Sequence, residues 1–296
     1  MLDLCAESEW LFFVPCGRDL LYDGRMTRSP PPLCYVLGGY GFVGSAICHE
    51  AEARGYRVVP IGRADYAQYA GSHCDLLVLA HGSSRKYLAW RDPSADFAAS
   101  VGQVEAAMND FRAKAHVLIS SIDVYPDVST PGACRESAQI DPSEVVSPYG
   151  RNKLLAEDCL RETAPEWMIL RVGGLVGEGL KKNSVRDLLK GDPIWVHPDS
   201  GYQYLNSADL ARILFDLREG GRTKEVYNVT GSGVITLREI AAWCPHAVLR
   251  PEYETLKREW YEVDLTRLQG VLSVPGTYAT VRAFVEDVRS GKVRLG

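Results

Sequence analysis

The sequence lacks the features that mark several large classes of protein. It has no basic excess, because 33 Lys and Arg face 38 Asp and Glu and leave a formal net charge of −5. A nucleic-acid-binding domain is expected to carry a basic patch, so this balance argues against one. No apolar run approaches the roughly 20 residues of a membrane span, so none is predicted. Residues 10–14 form only a short apolar run after acidic residues, which argues against a secretory signal and favours a cytoplasmic protein.

Paired metal ligands are also missing. The eight cysteines stand singly, without a Cys-x-x-Cys pair, and the six histidines are equally dispersed. We therefore predict mostly buried, reduced thiols, as in a cytosolic protein, and no metal site. No internal repeat is present.

From residue 33 onward, short apolar runs alternate with helical patterns. Strands are predicted over residues 34–37, 56–61, 75–80, 116–120, 167–172 and 226–229. Helices are predicted over residues 45–54, 95–111, 149–162, 205–217 and 236–242, and the segments 265–268 and 278–288 close the chain. The gap between the second and third strands is too short for a full helix and a further strand, so one of them is expected to be reduced. This alternation predicts an α/β fold with a doubly wound parallel sheet of the Rossmann type.

A glycine-rich turn follows the first predicted strand. Gly38, Gly41 and Gly44 have the spacing G-x-x-G-x-x-G at the point where the strand passes into a helix. Gly38 permits a tight turn, Gly41 lets the backbone approach a pyrophosphate, and Gly44 lets helix and strand pack closely. The helix N-terminus supplies free N–H groups for that anion. The turn therefore predicts a dinucleotide site, whose other candidate contacts within it are Tyr40, Phe42 and Val43.

The end of the second strand bears on the choice of cofactor. NAD-preferring sites usually place a carboxylate here for the ribose 2′-OH, whereas this chain has Gly62 followed by Arg63. A guanidinium can bind a 2′-phosphate through charge-assisted hydrogen bonds, so NADP is preferred over NAD. After the third strand, Ala80, His81 and Gly82 are further candidate cofactor contacts.

The division of the chain follows from these patterns. Residues 33–178 form the predicted dinucleotide-binding domain, to which residues 203–230 return. Residues 179–202 and 231–296 form a smaller α/β substrate-binding lobe, interleaved with the sheet.

An N-terminal extension of unknown role precedes this domain. It covers residues 1–32, and its segments 10–14 and 19–22 either pair as a small hairpin or belong to a poorly ordered leader. Consecutive prolines within residues 29–32 favour an extended, stiff linker.

Tyr149 and Lys153 form a candidate acid–base pair. Pro148 suits the first position of a helix and Ser147 suits its N-cap, so the two side chains project from one helical face. A free phenol has a pKa near 10 and exchanges protons poorly at neutral pH. A neighbouring ammonium is expected to lower the pKa of Tyr149 and fit it for acid–base catalysis.

Together, these segments resemble the extended short-chain dehydrogenase/reductases, in particular the NAD(P)-dependent epimerase/dehydratase group that acts on nucleotide sugars. The resemblance rests on the glycine turn, on the sequence SSIDVY at residues 120–125 and on the Tyr149-x-x-x-Lys153 pair. It continues through residues 204–211, 226–229 and 236–240, and covers about residues 33–290.

The resemblance implies a role for each residue of the site. Ser121 hydrogen-bonds the reacting oxygen, Tyr149 is the general acid/base, and Lys153 holds the nicotinamide ribose and tunes Tyr149. Family dehydratases carry Asp-Glu where this chain has Ile122 and Asp123. Because isoleucine cannot transfer protons, dehydration is not expected, and Asp123 is a candidate auxiliary acid or base.

The substrate contacts depart from the family pattern. Gly174 stands in place of an Asn that touches the sugar diphosphate, and Tyr202 stands in place of a diphosphate-binding Arg. A diphosphate buried without cations is costly, so Lys181 or other cations of the lobe either compensate or are simply solvated. The candidate substrate-binding residues are Ser121, Gly174, Lys181, Asn183 and Tyr202.

The resemblance implies an enzyme of carbohydrate biosynthesis, and we expect an NADP-linked reductase of a keto group on a nucleotide-linked deoxysugar. A 4-epimerase with tightly bound NAD is the alternative, and a non-catalytic NADP-sensing protein on the same fold is a second. The family also implies a homodimer built from the helices over residues 95–111 and 149–162.

Overall fold

The computed structural model describes residues 30–82 and 86–296, so the predicted hairpin of residues 10–14 and 19–22 lies outside the described residues. The strands are β1 Leu33–Leu37, β2 Arg57–Ile61, β3 His73–Leu79, β4 Arg112–Ser121, β5 Trp167–Val172, β6 Gly174–Val176, β7 Gly201–Tyr202, β8 Tyr204–Asn206, β9 Glu225–Val229 and β10 Ile235–Thr236. The helices are α1 Phe42–Ala53, α2 Tyr66–Tyr69, α3 Lys86–Arg91, α4 Pro93–Phe97, α5 Gln103–Asp110, α6 Pro148–Thr163, α7 Ser184–Lys190, α8 Ser207–Glu219, α9 Leu237–Ala241, α10 Thr266–Gln269 and α11 Thr277–Arg289.

Six parallel strands form the central sheet, in the order β2-β1-β3-β4-β5-β9. One apolar cluster covers the face packed by α1 and α8, and a second covers the face packed by α5 and α6. Helices on both faces explain why the strands read as continuous apolar runs. This architecture confirms the predicted doubly wound α/β fold.

The register of the strands brings the predicted cofactor residues to one edge of the sheet. Leu37 pairs with Ile61 on one side and with Leu79 on the other. The residues that follow these three strand ends therefore emerge side by side. The strand order also reverses at β1, and in open α/β sheets ligands bind in the crevice at such a point.

The C-terminal part adds two small sheets outside the central one. The strand β6 pairs in parallel with β8, and β7 pairs antiparallel with β10. An apolar cluster of its own includes Val176, Leu188, Ile240 and Phe284. The division between this lobe and the sheet domain stays a prediction, although β9 joins the central sheet next to β5.

Two predicted helices differ from the observed ones, and the expectation for one short connection holds. The predicted helix over residues 95–111 is interrupted by a π-helical turn, Ala98–Gly102, between α4 and α5. The predicted helix over residues 205–217 was wrong at its start, because Asn206 accepts from the Ala208 amide (2.9 Å) and caps α8. The short gap between β2 and β3 holds only the one-turn helix α2, as its length predicted.

Two further features concern membrane-spanning helices and the cysteines. Within residues 30–82 and 86–296, no helix is long and apolar enough to cross a membrane. The six cysteines of this part are free, and all but Cys159 are buried.

Candidate active site

Ser121 lies at the carboxyl end of β4, where the chain turns towards α6. A 3-10 turn, Ile122–Val124, begins immediately after it, and the Asp123 amide donates to Ser121 Oγ at 3.2 Å. The serine hydroxyl in turn donates to Asp123 Oδ2 at 2.8 Å. Ile122 points into an apolar cluster with Val124, so it supplies no acid. The structure thus pairs the predicted serine with the predicted auxiliary carboxylate.

The helix α6 brings Tyr149 and Lys153 against this turn. It begins at Pro148, and Ser147 Oγ accepts from the Gly150 amide at 3.4 Å, as the capping pattern predicted. A Cβ atom at Gly150 would lie 2.0 Å from the carbonyl oxygen of Asp123, so only glycine allows this close approach. Tyr149 and Lys153 are both buried on the face of α6 that meets β4.

Burial controls the acidity of Tyr149. Desolvation, followed by the charge of Asp123, raises the pKa of Tyr149 above its ordinary value, while Lys86 and a hydrogen bond with Ser121 act in the opposite direction. The expected lowering by Lys153 is therefore not the net result, because the loss of water disfavours the phenolate more strongly. Tyr149 is held as a neutral phenol, which is a proton donor.

The charge of Lys153 is disfavoured by burial. Burial lowers the pKa of Lys153 to about 8, although Glu157 and Asp96 oppose this shift. Its ammonium donates to the carbonyl oxygen of Ile119 at 2.9 Å. Further donor capacity remains for a ligand hydroxyl, since an ammonium has three N–H groups.

The glycine turn fits a dinucleotide. A Cβ atom at Gly38 would lie 2.8 Å from the carbonyl oxygen of Ala80, and one at Gly44 would lie 2.1 Å from that of Gly38. Gly41 is the N-cap of α1, and no side chain caps this helix. The first amides of α1 therefore remain available to an anion. Phe42 packs against the apolar cluster of the lobe, whereas Val43 packs against that of the sheet.

His81 and Gly82 connect this turn to Lys153. Among the described residues, His81 Nδ1 is buried without a hydrogen-bond partner. Burial and the charge of Lys153 lower the pKa of His81 to about 3, so the imidazole stays neutral. A Cβ atom at Gly82, where φ is +125°, would lie 3.5 Å from Lys153 Nζ. Because buried polar atoms are normally paired, the free nitrogen is consistent with a ligand at this edge.

The end of β2 contains a carboxylate that the sequence reading missed. Arg63 is exposed, while the Gly62 amide donates to Asp65 Oδ2 at 3.2 Å. The exposed ring of Tyr40 covers Gly62, where a Cβ atom would lie 3.0 Å from Tyr40 Cδ2. Asp65 stands four residues after Ile61 in the sequence, but only the folded turn returns its carboxylate to the end of β2. A cation and a carboxylate therefore both stand near the predicted ribose position.

Ser121, Asp123, Tyr149 and Lys153 form the candidate catalytic group. Two more residues join it that no sequence pattern singled out. Lys86, on α3, pairs with Asp123 through a contact of 2.7 Å between Nζ and Oδ1. The hydroxyl of Tyr261 donates to the same Oδ1 at 3.5 Å, and Lys86 Nζ lies 5.0 Å from the centre of the Tyr261 ring. Both come from segments distant in sequence, so their proximity is a product of the fold.

Two of the predicted substrate residues lie near this group. Tyr202 stacks on Tyr261 with 5.4 Å between ring centres, and its hydroxyl donates to Glu259 Oε2 at 2.7 Å. A Cβ atom at Gly174 would lie 2.7 Å from both the Gln203 carbonyl oxygen and the Tyr204 ring, so the pairing of β6 with β8 itself requires this glycine. The aromatic rings of Tyr261, Tyr202 and Tyr204 therefore lie in consecutive contact, and Tyr261 connects them to Asp123.

The other two have contacts elsewhere in the lobe. Asn183 caps α7, accepting from the Arg186 amide at 3.0 Å and donating to the Leu175 carbonyl oxygen at 2.9 Å. Lys181 lies against Gly296, where a Cβ atom would be 2.8 Å from its Cγ. Neither has a described contact with the catalytic group.

One group of side chains has the spacing of a metal site. His197, Asp199 and Glu254 place their ligand atoms within 4.8 Å of one another. Arg238 pairs with both carboxylates, at 2.6 Å to Asp199 and 2.8 Å to Glu254. A guanidinium already pairs with both acids, so the group is accounted for as an ion-pair network, and the absence of a metal stays a prediction.

Comparison with known proteins identifies relatives of this arrangement. The model of the NAD dependent epimerase/dehydratase family matches residues 34–230. A search of curated protein sequences finds no significant match. Among solved structures, MoeE5 in complex with UDP-glucose and NAD is 18% identical, with a TM-score of 0.71 over 88% of this chain and 99% of that chain.

Two other structures are similar to the same extent. The dTDP-4-dehydrorhamnose reductase of Bacillus anthracis in complex with NADP is 15% identical, with a TM-score of 0.69 over 88% of this chain and 100% of that chain. The UDP-N-acetylglucosamine 4-epimerase of Methanobrevibacter ruminantium in complex with UDP-N-acetylmuramic acid is 15% identical, with a TM-score of 0.69 over 89% of this chain and 100% of that chain. Identities this low show a common fold. The family match, which spans more than half of the sequence, shows that the chain belongs to the NAD-dependent epimerase/dehydratase family.

Proposed function

We propose that this protein is an NAD(P)-dependent oxidoreductase that reduces a keto group of a nucleotide-linked deoxysugar, with Tyr149 as the general acid. The observation that carries the proposal is the burial of the Tyr149 phenol beside Ser121, which raises the pKa of Tyr149 and favours its protonated form. A reduction ends with a proton on the new hydroxyl, so it needs a donor that stays protonated at neutral pH.

Each residue has a defined task in this reaction. A nicotinamide held at this edge of the sheet would supply the hydride. Ser121 donates a hydrogen bond to the substrate carbonyl oxygen and polarises it, which exchanges its contact with Asp123 for one with the substrate. Tyr149 delivers its proton to the same oxygen as negative charge develops there. Lys153 and His81 would hold and orient the cofactor, Lys153 through the N–H groups that its bond to Ile119 leaves free.

The cofactor itself is proposed to be NADP in preference to NAD, on the exposed guanidinium of Arg63. The glycine turn at Gly38, Gly41 and Gly44 would hold the pyrophosphate on the first amides of α1. Gly62 and Tyr40 would border the adenosine, and Ala80 would border the dinucleotide from β3.

The substrate class rests on the structural relatives, which were solved in complexes that include UDP-glucose and UDP-N-acetylmuramic acid. In this chain Tyr202 replaces the arginine expected at the diphosphate, and it donates to the carboxylate of Glu259. Arg186, a candidate replacement, pairs with Asp187 and Asp192, and Arg250 lies 3.8 Å from Glu252. A substrate panel must therefore compare each nucleotide sugar with the free keto-sugar.

Epimerisation at C4 with bound NAD is the second candidate, because Asp65 places a carboxylate at the end of β2, as NAD-preferring sites do. The two reactions differ in redox balance. A reductase consumes one NADPH for each product, whereas an epimerase copurifies with its cofactor and interconverts two sugars without net change at 340 nm.

The test is turnover of NADPH with a keto-sugar panel by wild type and by Tyr149→Phe. Loss of the proton donor should lower kcat by about 10²–10⁴-fold while NADPH still binds. Tyr56→Phe, which removes a phenol hydroxyl at the opposite end of β2, is the matched control and should retain full activity. Unchanged turnover in Tyr149→Phe on a confirmed substrate would falsify the proposal.

A further inference from the structure

Asp123, the carboxylate beside Tyr149, is paired with Lys86, a residue from outside the family motifs. Asp123 accepts from Ser121 through Oδ2 at 2.8 Å and from Lys86 through Oδ1 at 2.7 Å. The carboxylate is buried, whereas the Lys86 side chain is about half exposed at 50%. A buried carboxylate needs a partner, and Lys86 is the cation that supplies one from the solvent side.

Lys86 is itself held in place. Its ammonium lies over the ring of Tyr261 at 5.0 Å, which adds a cation–π contact to the ion pair. Although half of the side chain is exposed, its ammonium end is packed against Asp123 and Tyr261. Loss of water there opposes the charge, but attraction to Asp123 and then to Tyr261 outweighs this cost and raises the pKa of Lys86. The lysine is therefore charged throughout the neutral range.

We propose that Lys86 is a positioning residue of this site, which pairs with Asp123 and thereby balances the negative charge that Ser121 and Tyr149 experience. The pair also orients the acceptor of the Ser121 hydroxyl, so that serine stays between carboxylate and phenol until a substrate oxygen arrives. The inference rests on the proposed acid–base function of Tyr149.

The electrostatics give the two partners opposite effects on the same phenol. Asp123 raises the pKa of Tyr149 and Lys86 lowers it, after the larger effect of burial. Among the described residues, Asp96 on α4 also raises the pKa of Tyr149. Lys153, on the same helix as Tyr149, is unchanged in every variant of Lys86 or Asp123, so its effect on the pKa of Tyr149 is the same in each.

Alcohol oxidation needs the phenolate form of Tyr149, so its rate reports the balance between the charges of Asp123 and Lys86. In alcohol oxidation, Tyr149 accepts a proton, so kcat/KM rises with pH as the phenol ionises. Lys86→Met leaves Asp123 unopposed and should raise the pKa of Tyr149, and with it this rising limb, by about one unit, which is read as a tenfold loss of kcat/KM at a fixed pH below that pKa. Asp123→Asn should move it to lower pH, and the double variant should lie between the single ones. Lys86→Arg, which retains the charge, should restore the wild-type profile.

A second measurement does not require the substrate. The tyrosinate absorbance of each variant, minus that of the same variant carrying Tyr149→Phe, follows the ionisation of Tyr149 alone. Opposite displacements in Lys86→Met and Asp123→Asn support the inference in either assay. Equal profiles, or displacements in the same direction, overturn it even if Tyr149→Phe proves inactive. If instead Tyr149→Phe stays active while the absorbance displacements are opposite, the proposed function fails and the charge pair stands.

Discussion

The proton affinity of Tyr149 illustrates how a single residue depends on its surroundings. Its neighbour four residues on, Lys153, suggested a lowered pKa, yet burial and Asp123 raise it. Lys153 is itself buried, and the loss of water lowers its own pKa to about 8. A motif therefore identifies which groups take part, whereas the depth at which they are buried determines which protonation state they hold.

At the same scale, the proposed preference for NADP can be tested at Arg63 and Asp65. If Arg63 binds the 2′-phosphate, Arg63→Ala should weaken NADPH about tenfold or more relative to NADH, since a hydrogen bond to a charged group contributes about 1.5–3 kcal/mol. Asp65→Asn should have the opposite effect, because it removes a carboxylate that repels the phosphate. Dissociation constants for the four cofactor forms, from thermal shift or fluorescence, measure both ratios. A preference unchanged in Arg63→Ala would refute the assignment of NADP from this residue.

Among the elements, α6 carries the site and its support on a single face. Tyr149, Lys153 and Glu157 follow one another at intervals of four residues, and all are buried. Glu157 accepts from Ser120 at 2.6 Å and pairs with Arg171 of β5 at 2.8 Å. The helix is thus tied to the strand end that holds Ser121, which fixes the position of the phenol relative to the serine.

The ion pairs of Glu157 predict a contrast between two arginines. Arg171 is 3% exposed, so Arg171→Ala leaves a buried carboxylate without its main partner and should cost about 3–5 kcal/mol of unfolding free energy. Arg161 contacts the same carboxylate but is 29% exposed, and Arg161→Ala should cost about 1 kcal/mol or less. Urea unfolding of both variants tests this order. Similar losses in the two variants would show that burial does not govern this network.

At the scale of the whole molecule, the predicted homodimer can be tested through α4 and α6. Phe97 on α4 and Leu155 on α6 are large apolar side chains that remain exposed in the single chain. If these helices form the interface, light scattering of the wild type should give a molecular mass of twice the 32.7 kDa of one chain. The Leu155→Glu variant should give the mass of one chain. Tyr278→Glu, at an exposed aromatic position on α11, is the control and should leave the mass unchanged. A wild-type protein with the mass of one chain would contradict the prediction.

The sequence by itself determined the features that are encoded locally. The glycine turn, the cap of α6 and the four-residue spacing of Tyr149 and Lys153 depend on neighbouring residues, and the alternation of apolar runs follows the periods of strands and helices. These features were enough to predict the parallel sheet and the family. They were less accurate at the start of α8 and within residues 95–111, where a short strand and a π-helical turn interrupt otherwise helical patterns.

Only the tertiary structure decided which distant residues meet at the site. Lys86, Asp123 and Tyr261 come from three separate segments, and no local spacing relates them. The sign of the pKa shift of Tyr149 was likewise decided by the fold, because desolvation depends on everything packed around the phenol. Sequence spacing identified the acid and its neighbours, and three-dimensional packing set their charges.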